Sequence, residues 1–535
     1  MKPEGTHRPG MVNTGEFHPR DPAYRRDRVV LCAPNVPRCP DNSNRLFTQA
    51  LLYLQAAAKQ AGWNCDLVDA YLENLNAGET ARRILAGPPP ALVGFSLFTP
   101  QMCQEALLVI EEIEKGLGRS PKVVIGGHYA TFLANELLNR FPQIDYVISG
   151  EGEKPFRLLL DARVSGSPLH GIPGIKWRDE SGEIHEGPPA CPEQHLDNIG
   201  NIEFNEVAGK INPDEWSLST SRGCPGSCSF CISSRHWGKA GWRGHSTDWI
   251  VERICELVQK YGAAWINIVD DNFFGGPDPV GRAKAISESM QARQVYVPFS
   301  IMSRADTVCA FPEAFRLLRD AGLSQVFLGI ESGNDSTLGR MRKGTDTETG
   351  ERAVDILGRL SVGATLGNIV FHPWMTKSSV LADLDYLEKL LQKHPGARFF
   401  GLNELDIFSP TELGRSFCAD ENPPWLCEWK AENSFIQAVL EDWRLIRSGI
   451  LFPAMRILPP ANSHEIRRAF DFWQLAAVRS LIEDESPDER LPRAYASMCR
   501  FLLACGGMEI LDAFLVEHRS AESKKSMPHP ERCFA

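Results

Sequence analysis

The sequence predicts an α/β protein in three parts: a doubly wound, Rossmann-like N-terminal domain, a central partial (β/α)6 barrel, and a C-terminal helical domain. Three patterns predict it. From Arg28, short apolar runs alternate with amphipathic segments, which implies a mainly parallel sheet covered on both faces. From Trp216 a second alternation supplies six runs, too few for an eightfold barrel and suited to a partial one. Beyond about residue 415 the runs stop and only helical periodicity remains.

Residues 1–27 are polar and rich in Pro, Gly and Arg, and read as a mobile arm. Residues 28–160 carry the strand candidates RVVLCAP, CDLVDAY, ALVGFSLF, KVVIGGH and DYVISGEGE. Between the first two, RLFTQALLYLQAAAKQAG has helical spacing and Gly62 as its C-cap. Ligands of such sheets sit beyond the C-terminal ends of the strands. Residues 161–213 are dense in turn residues and read as a linker, with GIKWRD and EIHEG as a small hairpin. Residues 214–415 hold the barrel strands WSLSTS, WINIVDD, VPFSIMS, QVFLGIES, TLGNIVFHP and RFFGLNELDIF, separated by helices near 246–261, 279–293, 311–320, 347–359 and 379–393. Residues 416–520 read as helices that cap the barrel mouth. Trp425, Trp429, Phe435, Trp443 and Trp473 either line a pocket there or fill the core. The segment 521–535 reads as a fraying tail.

Composition narrows the function. The chain has 535 residues and a net charge of −11, which provides no electrostatic footprint for nucleic acid or anionic lipid. No run of eighteen apolar residues exists to cross a membrane, and the N-terminus lacks the apolar core of a secretory signal, so a cytoplasmic protein is expected. Fifteen cysteines are too sparse for a disulfide scaffold. Most are scattered, but three fall within eight residues.

Those three, in SRGCPGSCSFC at the end of the first barrel strand, are Cys224, Cys228 and Cys231, spaced C-x3-C-x2-C. A cubane iron–sulfur cluster that only moves electrons takes four thiolates. Three leave one iron open to a substrate, as catalytic zinc keeps a free position. Gly223, Pro225 and Gly226 let the loop wrap tightly, and Phe230 can shield the cluster from water. The alternatives are a zinc site with His236 or His245 as fourth ligand, or a cysteine-rich loop without a metal.

The triplet matches the signature of the radical S-adenosylmethionine (radical SAM) superfamily, and the chain resembles that family over roughly residues 214–415. The resemblance implies a 4Fe-4S cluster whose open iron binds the amino and carboxylate groups of SAM. It also implies an external electron donor such as flavodoxin or ferredoxin, and reductive cleavage of SAM to a 5′-deoxyadenosyl radical that abstracts a substrate hydrogen. By the same resemblance Asp270 and Asp271 stand near the SAM amino end, and Ser303 and Arg304 near its carboxylate. Glu331, in FLGIESGND, matches the family's glycine–x–glutamate–serine–glycine stretch near the ribose and methionine, with Lys343 and Gly344 following. Each acidic residue could equally cap a helix. Trp242 and Arg243 resemble the family's tryptophan–arginine stretch and read as a structural plug.

The N-terminal domain looks like the cobalamin-binding domain that precedes the barrel in one radical SAM subclass. Two stretches carry this: IGGHYATF, with Gly126, Gly127, His128 and Thr131, and SGEGEKPF, with Gly150, Glu151, Gly152 and Glu153. Both end strands, where glycine lets the backbone approach a planar ligand. The D-x-H-x-x-G sequence that supplies a lower histidine to cobalt is absent, so water, Asn35 or Arg38 would meet that face. The resemblance implies methyl transfer to an unactivated carbon of a small molecule or peptide in a biosynthetic pathway. Cobalamin would take the methyl from one SAM, and a second SAM would generate the substrate radical. The alternatives are rearrangement, dehydration, cyclisation or ring contraction without methyl transfer, and methylthiolation.

Overall fold

The computed structural model describes residues 28–36, 47–237, 241–399, 401–418, 424–457, 464–483 and 487–522. The predicted arm, Arg38 and the tail from residue 523 lie outside the described residues.

The first sheet is built from β1 (Arg28–Ala33), β2 (Asn64–Asp69), β3 (Leu92–Ser96), β4 (Lys122–Gly126), β5 (Tyr146–Ile148), β6 (Ile175–Arg178) and β7 (Ile184–Glu186). Its order is β2-β1-β3-β4-β5-β6-β7, parallel from β2 to β5 and antiparallel thereafter. The predicted hairpin therefore exists, but the stretch read as a linker is part of the sheet. The open edge of β5 exposes unpaired N–H and C=O groups, and the hairpin pairs them. Strand alternation sorts the side chains between two cores. Val30 and Cys32 of β1 join Val93 and Phe95 on the face under helix Pro100–Leu117. Val29 and Leu31 face helices Ala50–Gln60 and Glu153–Ser165, where the core runs on through Phe204 and Trp216 into the barrel.

The barrel sheet comprises β8 (Trp216–Leu218), β11 (Ile266–Ile268), β12 (Phe299–Arg304), β13 (Leu323–Glu331), β14 (Gly363–Asn368) and β15 (Ala397–Arg398). Its order is β15-β14-β13-β12-β11-β8 and every neighbour is parallel, the six-stranded partial barrel that was predicted. The short antiparallel pair β9 (Ser221–Arg222) and β10 (Arg243–Gly244) brackets the cysteine loop.

Of the C-terminal helices Ser434–Ile446, His464–Glu483 and Pro487–Glu522, His464–Glu483 packs on β15 and on helix Lys377–Lys393, and the other two pack on it. Arg468 donates to the carbonyls of His394 and Pro395, just past the C-terminus of helix Lys377–Lys393, where a cation is favoured. Trp443 Nε1 donates to Leu402 O, Trp429 Nε1 donates to Leu405 O, and Trp473 stacks on Phe470, so these three fill core. Phe435 is 39% exposed at the surface. The segment nearer the mouth precedes these helices. There Trp425 packs on Phe408 and on Tyr129 and Phe132 of the N-terminal domain. Cys418 and Cys427, treated above as scattered thiols, form a disulfide in the same segment.

Candidate active site

The cysteine loop is held mainly through its backbone. Cys231 N–H donates to Cys228 O, Ser229 N–H donates to Met341 O, and Leu413 N–H donates to Ser229 O. Gly223 has φ +85, and a Cβ there would lie 2.3 Å from Gly241 O, so only glycine closes this turn. Phe230 is half-buried against the core beside the loop. Among the described residues the three thiols do not form a group whose sulfurs all lie within 4.8 Å of one another. Thiolates on one tetrahedral zinc, each about 2.3 Å from the metal, must sit closer than that, whereas a cubane spreads them over separate irons. The proposed fourth zinc ligands are engaged elsewhere. His245 Nδ1 lies 2.8 Å from Asp197 and its ring stacks on Trp249, while the His236 ring packs edge-on against His128 at 3.9 Å. The loop fits a cubane cluster.

Beside it the ends of β12 and β13 bring the predicted polar groups together. Arg304 Nη1 lies 3.8 Å from Cys228 Sγ, its Nη2 donates to Lys343 O at 2.7 Å, and Asp306 fixes the guanidinium from the other side. Glu331 pairs with Lys343 at 2.6 Å. Burial would lower the lysine's pKa, but Glu331 and the nearby Cys228 hold it above its usual value. Glu331 itself adopts φ +65, a costly conformation for a non-glycine residue and one that clusters at functional sites. A Cβ on Gly329 would come within 2.7 Å of Lys343 Nζ and 2.8 Å of Glu331 Oε1, so the first glycine of that stretch lies directly against this ion pair. Ser303 is buried, with its hydroxyl donating to Arg304 O.

One of the two predicted acidic SAM contacts, Asp270, is corrected. Asp270 is buried, and its oxygens accept from the backbone N–H and hydroxyl groups of both Thr220 and Ser221. All its capacity goes to shaping the turn before the cysteines. Asp271 accepts from Ser233 Oγ and Trp237 Nε1, pinning the segment after the cysteines. The plug reading of Trp242 stands: its ring lies on Gly275 and Gly276, and Nε1 donates to Asn272 O.

Asp383 was not singled out from the sequence. It reaches from helix Lys377–Lys393 and accepts from Ser332 Oγ and Gly333 N–H, bracing the strained Glu331 turn. Burial pushes its pKa up to about 7 against these two donors. The folded value lies above the unfolded one near 4, so the unfolded chain releases its proton first and stability falls as pH rises from about 4 to 7. Asp383→Asn keeps the accepting oxygen and removes that loss. Its melting temperature relative to wild type should rise between pH 5 and pH 8; a constant difference would show that the carboxyl ionises freely in the fold.

A cavity of about 650 Å³ opens between the two α/β domains, lined by Leu31, Gly94, Ser96, Gly126 and Ile148 at the ends of β1, β3, β4 and β5, and by Ser219, Arg222, Trp237 and Asp271 on the barrel side. It lies at the strand C-termini, where the order reverses between β1 and β3. Gly94 and Gly126 leave the sheet without side chains toward helix Ala50–Gln60, making a slot beneath the cavity. Gln49 Nε2 and His128 Nε2 border the cavity as buried donors or acceptors without a partner. A flat ligand rimmed with amide carbonyls and trailing a tail meets these demands, and cobalamin has that chemistry.

The predicted corrinoid contacts divide. Gly126, Gly127, His128, Gly150 and Gly152 line the cavity. Gly127 has φ +94, and a Cβ there would lie 2.5 Å from Leu97 O. Thr131 accepts from Gly150 N–H and donates to Gly127 O, tying the two glycine stretches together. Asn35 is corrected: its side-chain amide donates to Asn74 Oδ1 and Leu75 O while its oxygen accepts from Val36 N–H. Glu151 and Glu153 reach the cavity wall, but their carboxylates pair with Arg243 and Arg222. Burial would raise the Glu153 pKa, yet Arg222 holds it below its usual value.

A three-thiol loop at the end of a partial barrel's first strand, next to a glycine-floored cavity on a parallel sheet, fits an enzyme that carries two cofactors. The family model "B12 binding domain" matches residues 43–160 and "Radical SAM superfamily" matches residues 218–387. The chain is 29% identical over 347 residues, 64% of its length and 72% of the relative's, to an uncharacterized methyltransferase of Pyrococcus horikoshii. It is 26% identical over 68% of its length, and 72% of the relative's, to the anaerobic magnesium-protoporphyrin IX monomethyl ester cyclase of Synechocystis. Its fold superposes on the cobalamin-dependent S-adenosylmethionine radical enzyme OxsB, solved with aqua-cobalamin and S-adenosylmethionine, with a TM-score of 0.73 at 18% identity over 94% of this chain and 80% of that one. The chain belongs to the radical SAM enzymes that carry a cobalamin-binding domain. Its cofactors are a 4Fe-4S cluster, SAM and cobalamin. No helix among the described residues is long and apolar enough to cross a membrane.

Proposed function

We propose that the chain is a cobalamin-dependent C-methyltransferase acting on an unactivated carbon of a small-molecule or peptide substrate in a biosynthetic pathway. One observation carries this reading: the corrinoid cavity is walled by the segments that hold the cysteine loop, Arg222 before it and His236 and Trp237 after it. A methyl carrier and a radical generator must face a common space, and this adjacency provides it. When bound, the cluster supplies the electron that opens SAM and the corrinoid supplies the methyl group. The chain's own residues do the rest. Cys224, Cys228 and Cys231 hold the cluster, Arg304 is oriented for a carboxylate, and the Glu331–Lys343 pair presents opposite charges to SAM's polar end. Apolar walls such as Leu31, Phe98 and Phe156 keep water from reactive species. An external reductant such as flavodoxin or ferredoxin completes the cycle.

Similarity to a cyclase favours the second reading, a radical rearrangement or cyclisation without methyl transfer. Anaerobic protein carrying both cofactors, given SAM, reductant and a pool of candidate substrates, should release S-adenosylhomocysteine together with 5′-deoxyadenosine. Release of 5′-deoxyadenosine with no S-adenosylhomocysteine would replace methyl transfer by the second reading.

A further inference from the structure

Glu151 and Glu153 belong to the corrinoid domain, and both carboxylates cross to the barrel. Arg222 Nη2 lies 2.5 Å from Glu153 Oε1, and its Nη1 lies 3.4 Å from Glu151 Oε2. Arg243 Nη2 lies 2.5 Å from Glu151 Oε1, and Arg243 is the antiparallel partner of Arg222. The Arg222 guanidinium also stands over the rings of Tyr53, from the corrinoid domain, and Trp237, at 5.2 and 5.7 Å. Two further bonds join the same places: Ser219 N–H donates to Gln49 Oε1, and Tyr53 Oη donates to Ser219 O.

This clamp lines one cofactor site and adjoins the other along the chain. Glu151, Glu153, Tyr53, Arg222 and Trp237 all line the corrinoid cavity. Arg222 is two residues from Cys224, and the intervening Gly223 lies so close to Gly241 that a side chain there would meet its carbonyl. A corrinoid in the cavity displaces water from this wall, and ion pairs strengthen as the surrounding dielectric falls. A change in the clamp would be carried along the strand that leads directly into the cluster ligands.

We propose that Arg222 is a positioning residue that couples the two cofactor sites, so that corrinoid in the cavity sets the geometry of the cysteine loop and tightens SAM binding at the cluster. The proposal rests on the assignment of cobalamin and SAM to these two sites. Coupling is reciprocal, so SAM tightens corrinoid binding by the same factor.

The test uses full-length anaerobic protein with its cluster reconstituted, titrated with SAM with and without hydroxocobalamin, and with the cluster's electron paramagnetic resonance spectrum recorded in each state. Wild type should bind SAM about fivefold or more tightly when the corrinoid is present, and its cluster spectrum should shift on corrinoid addition. In Arg222→Lys and Glu153→Gln, each measured at cofactor concentrations that saturate the variant, the ratio should fall to within about twofold of one and the spectral shift should vanish. A wild-type ratio of one, or variants that keep the wild-type ratio, would overturn the proposal while leaving the cofactor assignment intact. Loss of either cofactor from both variants would assign the clamp to folding and overturn it as well. Absence of corrinoid uptake by wild type would overturn the functional reading and the coupling together.

Discussion

Replacing Cys228 with Ala is expected to remove the iron–sulfur cluster and, with it, all reductive cleavage of SAM. The fold should survive, because the loop is anchored through Ser229 to Met341 and Leu413 by backbone bonds that the substitution leaves in place. Two remaining thiolates cannot hold a cubane whose fourth iron must stay open. Changing a group that only orients a metal ligand costs about 10–100-fold, so losing a ligand should cost at least about a thousandfold in 5′-deoxyadenosine formed. Iron and sulfide content per chain, read with the product assay, check both halves. Cys255 provides the control. It is buried in helix Thr247–Tyr261, burial raises its pKa, and Cys255→Ala should leave iron content unchanged. Normal iron content and SAM cleavage in Cys228→Ala would remove the triplet from the chemistry, and the proposed methyl transfer with it.

Filling the floor of the corrinoid cavity should have the second large effect. Gly126 ends β4 with an ordinary backbone conformation, and a Cβ there would meet Ile148 O at 3.6 Å, a normal contact. Gly126→Leu should therefore fold while placing four carbons in the slot on the Val124 face. Equilibrium dialysis of the anaerobic protein should show corrinoid affinity at least about tenfold weaker, about 1.4 kcal/mol or more, with iron content unchanged. Gly127→Ala should fail differently. Its positive φ and the clash with Leu97 O strain the backbone by about 1–3 kcal/mol or more, so a lower melting temperature should accompany the weaker binding. Undiminished corrinoid binding in Gly126→Leu would place the ligand elsewhere.

Sequence reasoning succeeds here where the signal is local. Strands buried on both faces are continuous apolar runs, and the helices between them keep a 3.6-residue period, so both α/β units and their six barrel strands are legible. The cysteines are legible because loop and spacing are covalent neighbours. Glycines such as Gly127 and Gly223 are legible because their conformations belong to one residue. It fails where a side chain is shared between distant segments. Asp270 looks like a strand-end ligand, yet it is consumed by hydroxyls fifty residues earlier. Glu151 and Glu153 look like a ligand rim, yet two arginines about seventy to ninety residues later claim them. Asn35 is satisfied by Asn74 and Leu75.

By itself, then, the sequence determined the two domain types, the order of their strands along the chain, the three-cysteine loop at the end of the first barrel strand, and Gly126 of the cavity floor but not its neighbour Gly94. Tertiary structure alone decided which acids face an arginine, that the hairpin extends the first sheet, that helix His464–Glu483 packs on β15, and that Asp383 braces Glu331. The physical reason is range. Periodicity, backbone conformation and metal-ligand spacing are set by neighbours in the chain, whereas a buried carboxylate takes whichever donors folding delivers to it, and those come from segments whose proximity no local pattern encodes.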